Sequence, residues 1–101
     1  MQSVNLTCHT DCTELNLAGV LDVSQARAAY QSFNEALVRA LPLRLHASSL
    51  ERVDTAALQL LLAFQKTARE RGLRIQWEST SAALQNSATA LGLSEALGLH
   101  A

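Results

Sequence analysis

Apolar residues recur along this chain at two different spacings, and each switch between them marks an element. In ELNLAGVL the spacing is two: Leu15, Leu17 and, beyond Gly19, Val20 or Leu21 point one way, as a strand with one buried face requires. The preceding SVNLTC reads as a weaker strand, placed to pair with it as a hairpin. From Asp22 the spacing becomes three or four. Ala26, Tyr30, Phe33, Leu37 and Ala40 or Leu41 then form one stripe of a helix. Asp22 with Gln25 three residues on has the form of a capping box, and Pro42 ends the helix because it lacks an N–H and disfavours helical geometry before it.

LPLRLHASS reads as a short strand with Leu43 and Leu45 inward. DTAALQLLLAFQKTARERG is the strongest helix, with Leu58, Leu61, Leu62 and Ala68 on its apolar side and Gln59, Lys66, Arg69, Glu70 and Arg71 on its polar side. Gly72 is placed to end it in a left-handed conformation. LRIQWES alternates Leu73, Ile75 and Trp77 on one face, which makes Trp77 a packing residue rather than a stacking platform. TSAALQNSATALG then predicts a helix closed by Gly92, and SEALGL a last turn capped by Ser94. The order β-β-α-β-α-β-α-α implies parallel strands joined by right-handed crossovers. The expected fold is α/β with two layers: a four-stranded mixed sheet, its N-terminal strand antiparallel, and helices mainly on one face.

With 101 residues and no Pro-, Gly- or Ser-rich linker or internal repeat, the chain is expected to be a single domain spanning residues 1–101. A net charge of −1, with Lys and Arg dispersed, offers no footprint for nucleic acid or an anionic membrane, so a protein partner is the expectation. MQSVNLTCHT has no basic or apolar leader region, and no apolar run approaches the roughly 18 residues of a spanning helix. A cytoplasmic location without membrane insertion is therefore expected. Cys8 and Cys12 in CHTDC lack the two-residue spacer of redox and zinc pairs, and His9 is the sole neighbouring third ligand, so the segment reads as an exposed hairpin loop with no metal. No Gly-rich phosphate loop, nucleophile elbow or metal spacing is present, so no catalytic residue and no cofactor are assigned.

Four stretches, in order, carry a likeness. LAGVLD resembles a strand-to-helix turn of the form L-x-G-x-L-D, and VDTAAL a helix opening of the form D-S/T-x-G-L. LLAFQKTARERGLRIQW is similar to a helix, glycine and strand, and ALGLSEALGL to a terminal G-L segment. Together they resemble the STAS domain of bacterial anti-sigma-factor antagonists over nearly the whole chain. The resemblance implies a non-enzymatic signalling module that binds a protein partner at the turn Asp54-Thr55. Thr55 would be the phosphoacceptor and Asp22 the acid close to it. Two residues depart from the family pattern: Ala57 stands where Gly is common, and His46 where an Asp often ends the preceding strand.

Asp22, Asp54, Thr55, Ala57 and Leu58 are thus the candidate partner-binding residues. Asp54 is also the expected cap of the helix, since a side-chain oxygen there accepts from backbone N–H groups that lack intrahelical partners. The partner would be an anti-sigma factor or serine kinase. DTAALQLLL also resembles the STAS subunit of bacterial phospholipid-transport complexes, which makes a transporter ATPase the alternative partner.

Overall fold

Residues 4–99, the part of the chain that the computed structural model describes, run β1 (Val4–Cys8), β2 (Thr13–Leu21), a 3-10 turn (Val23–Gln25), α1 (Ala26–Arg39), β3 (Leu43–Val53), α2 (Thr55–Glu70), β4 (Ile75–Ser79), α3 (Ala82–Ala90) and α4 (Ser94–Leu97). This is the expected order. β1 pairs antiparallel with β2, while β2–β3 and β3–β4 are parallel, so the strands lie side by side in chain order. Each parallel step moves one strand in the same direction. Right-handed crossovers therefore place α1 and α2 on the same face of the sheet. There Phe33 of α1 stacks on Phe64 of α2, ring centroids 4.5 Å apart. The opposite face carries Asn5, Thr7, Asn16, Arg44, Gln76 and Glu78, all exposed.

The core follows the strand alternation. Leu15, Leu17 and Leu21 are buried, and Val20 is left 41% exposed, which settles the choice beyond Gly19. β3 is longer than the expected short strand, and its irregular pattern explains why. Leu43, Leu45 and Ala47 are buried at a spacing of two, Ser48 and Ser49 are both exposed, and Leu50 and Val53 are buried at a spacing of three. Opposite β2, β3 holds an extra residue between His46 and Ser49 and another between Leu50 and Arg52, so two bulges break the period that identifies a strand.

Other expectations are corrected by packing. The buried stripe of α1 is Ala29, Phe33, Ala36 and Leu37, whereas Tyr30 is 56% exposed. Phe33 and Leu37 are buried as expected, and the small side chains Ala29 and Ala36 take the inward places beside them. Asp22 makes no capping box: its Oδ1 accepts from the backbone N–H of Ser24 at 2.9 Å and from the Ser24 hydroxyl, capping the 3-10 turn alone. Ser94 is the first residue of α4 rather than its cap, and its hydroxyl lies 3.3 Å from that of Thr89. In CHTDC, residues 9–12 form the turn, closed by His9 N–H donating to the Cys12 carbonyl at 3.0 Å. Cys8 is exposed but Cys12 is buried, and burial, aided by Asp11, pushes its thiol pKa above the ordinary value.

Gly72 behaves as expected. At φ +75° it lets the N–H of Leu73 reach the Ala68 carbonyl (2.9 Å) while its own N–H reaches that of Arg69 (3.0 Å), the paired bonds that terminate a helix. Trp77 packs as expected, its indole N–H donating to the Leu97 carbonyl at 2.8 Å. Among the described residues no helix is long and apolar enough to cross a membrane. Truncating Leu61, fully buried on α2, to Ala is expected to cost about 2–5 kcal/mol, and Gly72→Ala about 1 kcal/mol, each read from the urea midpoint.

Candidate functional site

Parallel pairing builds the site. The register sets Leu21 opposite Val53, so β2 and β3 end together and the residues that follow them, Asp22 and Asp54, emerge side by side although 32 positions apart in sequence. Asp54 then joins the two segments. Its N–H donates to the Leu21 carbonyl at 3.2 Å, and its carboxylate divides its two oxygens between them. Oδ1 accepts from the Ala57 N–H at 2.9 Å, capping α2, while Oδ2 accepts from the Val23 N–H at 3.2 Å. The expected cap is therefore real, and it is also a tie to the turn that carries Asp22.

Thr55 is the first residue of α2 and is exposed, and its hydroxyl enters no hydrogen bond among the described residues. Asp22, Asp54 and Thr55 are thus brought to one edge. Ala57 and Leu58 are not exposed there: they are 1% and 0% exposed and anchor the helix from beneath, Leu58 behind the hollow beside Thr55. Their apolar character was equally compatible with an exposed contact patch, and only the helix phase against the sheet decides between the two. Beside Thr55 lies an open hollow of about 370 Å³ whose lining includes Arg52, Ser87 and Leu91. Val23 is 71% exposed and Leu91 44% exposed, so apolar side chains flank the turn. Sequence reasoning overlooked both, and the one signal available was a valine directly after the Asp22 cap.

The electrostatics are acidic. Hydrogen bonds from Ser24 hold the Asp22 carboxyl below its ordinary pKa against the opposing effect of burial, with further lowering by the backbone and by Arg52. A second polar cluster sits elsewhere, on the open face of the sheet. His46, expected at a strand end, lies within β3, and its Nε2 is 2.8 Å from Glu14 Oε1, while His9 Nε2 is 2.6 Å from Glu14 Oε2. Those two bonds, that of His46 first, hold Glu14 below its ordinary pKa. Among the described residues no group of three or more His, Cys, Asp or Glu is arranged to hold a metal ion.

The family profile described as Mlab, STAS domain matches residues 4–99. The chain belongs to the STAS family. Solved structures share the fold. An anti-sigma factor antagonist from Mycobacterium paratuberculosis superposes with a TM-score of 0.81 at 17% identity, over 96% of this STAS chain and 83% of that one. A crystal structure of Mglu gives 0.67 at 19% identity over 75% of this chain, and Mglu in its L-glutamate binding form gives 0.63 at 16% over 76%. This STAS chain corresponds to only 19% and 26% of those two Mglu chains. No curated protein matches its sequence significantly.

Removing the Asp54 carboxylate with Asp54→Ala is expected to cost about 1–2 kcal/mol in urea unfolding, since both the α2 cap and the tie to Val23 are lost. The lowered carboxyls of Glu14 and Asp22 also set a pH dependence. A group whose pKa falls on folding stabilises the fold above its unfolded value, and that contribution is lost as pH drops through the folded value. The urea midpoint should therefore decline as pH falls below about 4, and the double variant Glu14→Gln, Asp22→Asn should flatten the decline.

Proposed function

We propose that this STAS chain is a non-catalytic binding module for bacterial signalling whose contact surface is the shared edge of Asp22, Asp54 and Thr55, with Thr55 as a phosphorylation switch. The observation that carries the reading is the exposed Thr55 hydroxyl at the first residue of α2, beside the Asp54 carboxylate and the turn that carries Asp22. The backbone there tolerates a phosphate, because a helix N-terminus presents free N–H groups and a partial positive charge. A partner would not tolerate it. A phosphate adds about −1.5 to −2 charge to an edge that already carries two carboxylates, with Arg52 the nearby cation that acts on Asp22. Phosphorylation thus disfavours docking without unfolding the domain. The partner is a serine kinase or anti-sigma factor, a reading supported by the fold shared with an anti-sigma factor antagonist.

A second reading is a lasting contact with a transporter ATPase in the cytoplasm. It is favoured by Val23 and Leu91, apolar side chains exposed on either side of the turn, which suit a permanent interface better than a reversible one.

Incubation with a co-encoded serine/threonine kinase, followed by intact-mass measurement and peptide mapping, is expected to place one phosphate on Thr55. No phosphate, or phosphate at another residue, rejects the switch. Thr55→Glu should weaken partner affinity by roughly tenfold or more while leaving the circular dichroism spectrum unchanged. An ATPase that copurifies equally well with Thr55→Glu supports the second reading instead.

A further inference from the structure

The hollow of about 370 Å³ beside Thr55 is walled by the end of β3, the first turn of α2 and one side of α3. Its charges are few. Arg52 and Asp54 are the charged residues of the lining, and α3, reading AALQNSATA, brings none. Asp54 is already committed, with Oδ1 on the Ala57 N–H and Oδ2 on the Val23 N–H. Arg52 is the cation that remains. It is exposed, and among the described residues it forms an ion pair with no carboxylate.

Chain geometry keeps Arg52 close to Thr55. The two are three positions apart, so their Cα atoms are separated by at most about 11 Å. The chain also turns between them, from strand to helix at Asp54, and both residues line the same hollow. The charge of Arg52 is felt at this edge. Ser24 leads in holding the Asp22 carboxyl low, and Arg52 adds to that effect. A guanidinium also presents a planar fork of N–H donors that matches two phosphate oxygens.

We propose that Arg52 is the internal counter-charge of the switch: when Thr55 is phosphorylated, the phosphate turns into the hollow and pairs with the Arg52 guanidinium. This rests on the reading of Thr55 as the modified residue. Two consequences follow for docking. The phosphate fills the opening beside the exposed Leu91, so a partner side chain directed there is excluded by volume as well as by charge. Arg52 is at the same time drawn away from Asp22, which leaves the carboxylates of the edge with less compensation.

The test needs neither kinase nor partner. The full chain is made by semisynthesis with phosphothreonine at position 55, and the phosphate is followed by phosphorus NMR around its second pKa, about 6 for an isolated group. A paired cation favours the dianion and so lowers its proton affinity. That affinity is expected to be roughly threefold or more higher in Arg52→Gln than in the parent, and Arg52→Lys should recover part of the difference by restoring the charge without the fork. The Arg52 Nε–H resonance should shift and exchange more slowly once Thr55 is phosphorylated. Lys66→Gln, eleven residues further along α2 and roughly 16 Å along its axis, should leave the phosphate unchanged. Without phosphate, Arg52→Gln should keep the parent urea midpoint, which separates a charge effect from a loss of structure. Equal proton affinity in the parent and Arg52→Gln, an unchanged Arg52 Nε–H, or an equal change in Lys66→Gln overturns the proposal. Such a failure leaves Thr55 standing as an acceptor, whereas a kinase that ignores Thr55 rejects that reading and does not alter the NMR result.

Discussion

The parallel register between β2 and β3 is the constraint on which the rest depends. With Leu21 opposite Val53, the two strands finish at one edge and both following segments start there. A polar connector is then required, because the backbone N–H groups at the start of α2 have no intrahelical acceptors. Asp54 supplies it with both carboxylate oxygens, one for its own helix and one for the Val23 turn. Capping and joining are thus a single interaction, and this is what allows Thr55 to stand exposed without being loose.

The two bulges in β3 adjust that register. Without extra residues after His46 and Leu50, the inward alternation begun by Leu43 and Leu45 would set Ser49 rather than Leu50 toward the helices. The bulges return Leu50 and Val53 to the core, so that the strand delivers Asp54 level with Asp22. The STAS edge is in this sense a product of irregular strand geometry. The same irregularity hides the second half of β3 from any reading based on a period of two.

Much of the site was legible in advance because its parts are local. Asp54 before an apolar helix is a cap by chemistry, and Thr55 beside it follows from the D-T-x-x-L order. The buried roles of Ala57 and Leu58 were not legible, since an alanine and a leucine in a first turn fit a contact surface as well as a core. Tyr30 shows the same gap in α1: its spacing matched the stripe that Phe33 and Leu37 do form, but Ala29 and Ala36 take the remaining inward places and Tyr30 is left exposed. His46 and Glu14 meet only because adjacent parallel strands bring them together across the open face.

By itself the sequence determined the order of the elements, the mixed two-layer sheet, the helix ending at Gly72 and the membership of Asp54 and Thr55 in one turn. These rest on spacing, capping and turn chemistry within a few residues of each other. Tertiary structure decided which faces are buried, that Asp22 caps a 3-10 turn while Asp54 ties it down, and that Gln65 is buried with its side-chain oxygen unpaired among the described residues. Those outcomes depend on pairing between segments far apart in the chain, where a shift of one residue reverses what faces the core.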